Sequence, residues 1–321
     1  MQPFPPIEPR RAGRLPVDPR HTLYWEELGN PDGVPLVFLH GGPGAGTPLA
    51  YRRHFDPGFW RIIMFDQRGA GRSRPLGLLE DNTTAHLVDD IERLRESLGI
   101  ARWAVAGASW GSTLALAYAQ AHPERCLGLL LRGVFLGRPS EIDWFMHGVR
   151  TVFPEAWRDF AGFVPEAERG DLLGAYCRRL ADESDPAARL AAALAWSRYE
   201  GACSTLLPDA DARAGFAEPD TAIGLAVIES HYFRQRLFLQ DDQLLRGLPR
   251  ITHLPAVIVQ GRYDMICPIV TADEVARAWP GCDYQIEPAG GHSGADPAMA
   301  AAQIRGGEAL KLRLQTQGPS R

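Results

Sequence analysis

Val105-Ala106-Gly107-Ala108-Ser109-Trp110-Gly111-Ser112-Thr113 is a short apolar run that closes in Gly-x-Ser-x-Gly and continues as Leu114-Ala115-Leu116-Ala117-Tyr118-Ala119. The run before the serine reads as a buried strand and the stretch after it as a helix, so Ser109 is expected on the sharp turn between them, a nucleophile elbow. Gly107 and Gly111 have a steric reason to be there, because so tight a turn strains the serine backbone and leaves no room for side chains on the crossing residues. The helix that follows points its N-terminal dipole at the serine and favours negative charge developing there. The pentapeptide also arises in ordinary Gly/Ser loops; the flanking strand and helix give it its meaning.

Outward from this turn, residues 35–39 form a continuous apolar run that suits a strand covered on both faces, ending in His40-Gly41-Gly42-Pro43-Gly44. Residues 61–65 form a second, ending in Asp66-Gln67-Arg68-Gly69-Ala70-Gly71-Arg72-Ser73. Residues 83–98 carry Leu87, Ile91, Leu94 and Leu98 at helical spacing, with Asn82 or Thr83 as cap. Residues 103–106 are the strand of the elbow and 127–131 the next one. Residues 22–28 alternate and can start a sheet, ahead of the turn Asn30-Pro31-Asp32-Gly33. The proline-rich first twenty residues are expected to wrap the surface in extended form. Strands alternating with helices predict an α/β fold with a doubly wound, mostly parallel sheet.

After Arg138 the rhythm changes. Residues 139–245 show no convincing buried strand but several Ala- and Leu-rich helical stretches, such as Leu172, Leu173, Tyr176 and Leu180. Asp185-Pro186 reads as a cap with proline at the first helical position, and Gly201 is expected to stop that helix. The strand pattern resumes at residues 255–260. The expected division is a core in two parts, 1–138 and 246–321, with an inserted helical cap domain, 139–245, over the catalytic end of the sheet. The last dozen residues, rich in Lys, Gln and Ser, are expected to close a helix and fray.

Composition narrows the function. The 321 residues are 45% hydrophobic and 23% charged, ordinary globular usage, and a net charge of -5 gives no reason to expect nucleic acid or an anionic membrane as partner. No apolar run approaches the roughly 20 residues of a bilayer span. The N-terminal stretch with Pro3, Pro5, Pro6 and Pro9 before Arg10-Arg11 lacks the apolar segment of a signal peptide. Cys126, Cys177, Cys203, Cys267 and Cys282 are odd in number and have neither metal-ligand nor redox spacing, so a cytoplasmic address and no metal are expected.

A serine needs a base within hydrogen-bond reach, and the base needs a group that holds its tautomer. For a serine on this kind of elbow the chain order is Ser, then Asp or Glu, then His. Val259-Gln260-Gly261-Arg262-Tyr263-Asp264 places an aspartate just past a strand end, and Pro288-Ala289-Gly290-Gly291-His292-Ser293 places a histidine on a glycine-bearing loop after the short strand 284–286. Ser109, Asp264 and His292 are the expected triad. The oxyanion needs backbone donors: Trp110 supplies one, and on the loop after Leu39 the candidate is Gly42, with Gly41 as competitor, since Pro43 has no N–H.

His40-Gly41-Gly42-Pro43-Gly44, Asp-Gln-Arg-Gly-x-Gly-x-Ser, Gly-x-Ser-Trp-Gly-Ser, Arg132-Gly133-Val134-Phe135 and Gly261-Arg262-Tyr263-Asp264-x-x-Cys267-Pro268 together resemble the prolyl aminopeptidases (proline iminopeptidases), serine exopeptidases of the α/β-hydrolase superfamily. The likeness is densest over residues 7–138, returns over 261–293 and is patchier between. It implies the α/β-hydrolase fold and cleavage of an N-terminal proline from peptides without metal or cofactor. A free amino terminus in a desolvated pocket calls for carboxylates. The family's amine-binding glutamates match Glu200 and Glu229; the second, if helical, shares a face with Leu225, Tyr232 and Phe233. By the same resemblance Phe135, Phe145, Phe233 and Cys267 line the proline pocket, and Arg132 holds its polar edge. Two positions depart from the family: Ala108 stands where it usually has glycine, and Trp144-Phe145-Met146 where it often has two aromatics after the tryptophan. A broad esterase or amidase on the same fold, and a non-catalytic small-molecule receptor, are the alternatives.

Overall fold

The computed structural model describes residues 1–316. Eight strands, β1 (Arg11–Pro16), β2 (Thr22–Gly29), β3 (Val34–Leu39), β4 (Trp60–Asp66), β5 (Trp103–Ala108), β6 (Cys126–Arg132), β7 (Ala256–Gly261) and β8 (Asp283–Glu287), pair in the order β1-β2-β4-β3-β5-β6-β7-β8. β1 with β2 and β2 with β4 are antiparallel, and the remaining pairs are parallel.

The continuous apolar runs follow from coverage of both faces. Along β3, β4, β5 and β6, Val37, Leu39, Ile63, Phe65, Val105, Leu129 and Leu131 pack to one side with helices α1 (Thr84–Ser97) and α2 (Trp110–Ala121). The intervening Leu36, Phe38, Ile62, Met64, Ala104, Ala106 and Leu130 pack to the other with the C-terminal helix Pro297–Thr316. Thr83 caps α1, accepting from the His86 backbone N–H. Of the last dozen residues, expected to close a helix and fray, 310–316 are helical, and 317–321 lie outside the described residues.

Between β6 and β7 the chain is helical: α3 (Pro139–Met146), α4 (Pro154–Gly162), α5 (Leu172–Ala181), α6 (Pro186–Ser204), α7 (Ala210–Phe216), α8 (Pro219–Arg234) and α9 (Gln243–Gly247), with no strand among the described residues. After β7 come α10 (Ile269–Ala278) and, after β8, α11, the C-terminal helix. Helices α5, α6 and α8 pack on one another, and the Phe160 ring stacks on Tyr176 and Tyr199 at 4.5 and 4.3 Å. Among the described residues no helix is long and apolar enough to cross a membrane.

Two local expectations are corrected. Gly201 does not end its helix: α6, capped by Asp185 with Pro186 in its first turn, continues to Ser204. A Cβ at Gly201 would stand 2.8 Å from the Phe216 ring, so the glycine serves the close approach of another segment. The N-terminal stretch is not merely draped over the surface either. Residues 11–16 extend the sheet as β1, which the Arg11-Ala12-Gly13-Arg14 composition hid and which pairing with β2 supplies.

Candidate active site

At the end of β5 the chain turns so sharply that Ser109 takes φ 57° and ψ −127°, a conformation rare for a residue with a side chain. Ser109 N–H donates to the Arg132 carbonyl (2.8 Å), and the Ser109 carbonyl accepts from Ser112 N and Ser112 Oγ, each at 2.7 Å. A Cβ on Gly107 would fall 2.1 Å from the Gly111 carbonyl oxygen, and one on Gly111 would fall 2.0 Å from that of Leu39. Both glycines are therefore demanded by backbone crossing, while Ala108 fits its methyl into the core.

The other expected triad members come from loops that touch, since a Cβ on Gly261 would stand 2.3 Å from the Gly291 carbonyl oxygen. His292 Nδ1 lies 3.0 and 2.9 Å from the two Asp264 oxygens. Asp264 Oδ1 accepts from the backbone N–H groups of Ile266 (3.1 Å) and Cys267 (2.8 Å), and Oδ2 accepts from Gln260 Nε2 (3.2 Å). A carboxylate so surrounded accepts from Nδ1–H, which leaves Nε2 as the basic nitrogen. Arg132 Nη1 donates to the His292 carbonyl and Nη2 to Tyr51 Oη (3.1 Å). Ser204, ending α6, accepts from the backbone N–H groups of His292 (3.1 Å) and Ser293 (2.8 Å).

Ser109 and His292 border one cavity of about 590 Å³, together with Gly41, Gly42, Arg132 and Glu200. Ser109 Oγ sits 3.9 Å from Cys267 Sγ, and no hydrogen bond joins it to His292 among the described residues. Such serine–histidine contacts are often long in the free enzyme and tighten in the reacting complex.

Trp110 opens α2, where a backbone N–H has no helical acceptor. Gly41 passes the elbow so closely that a Cβ there would lie 3.1 Å from Ser109 Cβ, and Gly42 has φ +104°. Two residues not singled out from the sequence bind these segments together. His40 Nε2 accepts from Gln67 N–H and Nδ1 donates to the Gly41 carbonyl, while Gln67 Nε2 donates to the His40 carbonyl, all at 2.9 Å. Gln67 Oε1 in turn accepts from Trp110 Nε1 at 2.8 Å. Burial lowers the His40 pKa and keeps the imidazole neutral, as this pattern requires. The available signal was adjacency: His40 and Gln67 each sit beside a quoted glycine motif, but nothing local shows that they meet.

Above the cavity, α6 presents Glu200 and α8 presents Glu229, 6% and 3% exposed. Glu229 Oε2 accepts from Trp196 Nε1 (2.7 Å), a partner not foreseen from the sequence, whereas Glu200 Oε2 has none. Burial pushes the Glu200 carboxyl up to about 7 against the opposing pull of its hydrogen bond with Glu229. Burial and then the Glu200 charge raise Glu229 well above the carboxylate range. No Lys or Arg among the described residues neutralises either one. Two carboxyls that share a site in this way retain a proton near neutral pH.

Phe145 packs edge-on against Phe233 (5.4 Å), Phe233 reaches Phe135 (6.2 Å), and Trp196 closes on Phe145 and Phe233 (5.7 and 6.1 Å). The structure thus gathers the three expected phenylalanines next to Glu229. They, Glu229 and Cys267 are packed behind the open cavity rather than along its wall.

Residues 34–296 match the model of the alpha/beta hydrolase fold family. A probable proline iminopeptidase of Leptolyngbya boryana is 50% identical over 303 residues, 94% of either chain. The proline iminopeptidase of Arabidopsis thaliana is 47% identical over 97% of this chain and 82% of its own, and that of Neisseria gonorrhoeae 45% identical over 96% and 98%. Among solved structures, a bacterial membrane phospholipase A is similar with TM-score 0.67 at 18% identity (97% and 87% covered). A proline iminopeptidase of Mycobacterium smegmatis follows with 0.64 at 20% (96% and 100%), levels that speak to the fold alone.

Proposed function

Since this chain belongs to the proline iminopeptidases of the α/β-hydrolase fold, we propose that it releases the N-terminal proline of peptides with Ser109, His292 and Asp264 as its catalytic triad. Glu200 and Glu229 receive the charged imino group, and Phe135, Phe145, Phe233 and Cys267 enclose the apolar ring. His292 Nε2 takes the Ser109 proton as Oγ attacks the prolyl carbonyl, and the N–H groups of Trp110 and Gly42 stabilise the oxyanion. The imidazolium then protonates the departing peptide amine as the C–N bond breaks. Water, deprotonated by the same imidazole, attacks the acyl-enzyme and frees proline and Ser109. Residues 139–245 act as the cap that supplies Glu200, Glu229, Phe145 and Phe233 to recognition. Arg132 acts through its hold on the His292 loop.

The observation that carries this reading is the pairing of a strained serine and an Asp-held histidine with two buried carboxyls that lack a cation. Desolvated negative charge of this kind matches an ammonium ion and offers nothing to a neutral acyl group. Five cysteines without disulfides support a reducing, cytoplasmic setting. A proline arylamide should be turned over when its amine is free and not when it is acetylated. Equal turnover of both forms would assign the broad esterase or amidase instead.

A further inference from the structure

Glu200, Ser109 and His292, 6%, 8% and 7% exposed, form a buried part of the lining of the catalytic cavity. Its exposed lining includes Pro48, Leu49, Ala50, Gly215 and Ala295, and Leu49, its one large apolar side chain left in solvent, keeps 61% of its surface in water. A large apolar side chain left in solvent on the rim of a catalytic cavity is the kind of surface that a ligand covers.

The rim is not a loose loop. Thr47 N–H donates to Asp66 Oδ1 (2.8 Å) and Thr47 Oγ1 donates to the Phe65 carbonyl (3.0 Å). The single-turn helix Leu49–Arg53 follows, and its Tyr51 packs on Phe38 (4.9 Å) and accepts from Arg132. Arg53 Nε, at its far end, donates to the Phe4 carbonyl (2.7 Å). Leu49 is therefore held in place on a braced turn, and covering it costs little additional ordering.

The two arginines that line this cavity have their terminal nitrogens engaged. Arg72 donates to Asp66 (2.7 Å) and Glu26 (3.1 Å) and lies 4.0 Å over the Tyr24 ring, while Arg132 is committed to His292 and Tyr51. An incoming acidic side chain would lose hydration and find both arginines already paired; an apolar one would gain the surface of Leu49.

We infer that the rim around Leu49 is the subsite for the residue that follows proline, and that it favours an uncharged, apolar side chain there. The inference rests on the exopeptidase reading above. With the imino group at Glu200 and the carbonyl at Ser109, the remainder of the peptide extends toward the exposed lining, where Leu49 offers the largest uncovered apolar side chain. Leu49 is thus a specificity-determining residue for the leaving peptide and takes no part in the chemical steps.

Four substrates test this: prolinamide, which has no residue after proline, and the dipeptide amides in which glycine, phenylalanine or aspartate follows it. In the unaltered enzyme kcat/KM should be higher for phenylalanine than for glycine by about five-fold, and lowest for aspartate. Leu49→Ser should reduce the phenylalanine-to-prolinamide ratio of kcat/KM toward that of glycine. Leu49→Arg should raise the aspartate-to-phenylalanine ratio, a gain that misfolding cannot imitate. Ratios unchanged in both variants would overturn the subsite. Absence of proline release from all four substrates would instead overturn the exopeptidase reading on which it rests.

Discussion

Asp264 and Glu200 are both buried carboxyls, 3% and 6% exposed, yet the fold treats them in opposite ways. At the rim of the sheet Asp264 is surrounded by two backbone N–H groups, the Gln260 amide and the His292 imidazole. On α6, among the helices between β6 and β7, Glu200 faces a second carboxyl and has one oxygen with no partner. In the chemical half the histidine is already held by its carboxylate before a substrate arrives; the recognition half is left short of a cation. This is the electrostatic arrangement expected where catalysis depends on preorganised dipoles and selectivity on completing an unsatisfied buried pair.

The sharpest way to break the comparison lies on the sheet side. Ser109→Ala should lower proline release by roughly 10⁴–10⁶-fold while leaving the fold intact, read as kcat/KM alongside thermal unfolding. Residual activity above that range would remove the serine from the reaction.

On the cap side function and stability should move in opposite directions. Glu229→Gln should reduce kcat/KM for a free-amine prolyl substrate by about 10²-fold, because an amide, unlike the carboxyl, cannot give up a proton to become the partner of an incoming cation. The folded-state pKa values of both glutamates are raised above their ordinary 4.5, so the folded protein binds more protons than the unfolded chain between that value and about 7. Their contribution to stability is fully present below 4.5 and is lost as pH rises through the folded values. Glu229→Gln should therefore raise Tm at pH 8, with the gain shrinking toward pH 5. A fall in Tm at pH 8 would mean that the pair is structural. For the unaltered enzyme kcat/KM should decline below about pH 7 as Glu200 takes up its proton.

The smallest expected effect belongs to the brace that joins the two oxyanion segments. Gln67→Met keeps the volume but releases Trp110 Nε1 and the His40 loop, and kcat should fall about tenfold with little change in KM, since positioning is lost and not substrate affinity. A change confined to KM would place Gln67 on the recognition side of the comparison.

What could be read from the chain alone is what short-range sterics and chain order dictate. The sequence by itself determined the elbow, because Gly107 and Gly111 are required wherever a strand crosses into a helix at a strained serine. It also determined the alternation of buried strands with helices, because apolar runs covered on both faces have no other use in a chain of this composition. Gly201 was misread for a related reason: a glycine placed for a neighbouring ring looks the same as one placed to end a helix. Only the tertiary structure decided the rest. That Gln67 reaches Trp110 across 43 positions, that Trp196 donates to Glu229 across 33, and that one oxygen of Glu200 is left without a partner are properties of surfaces brought together by packing. Burial and mutual repulsion, which set the protonation of the glutamate pair, do not exist until the cap helices have closed around it.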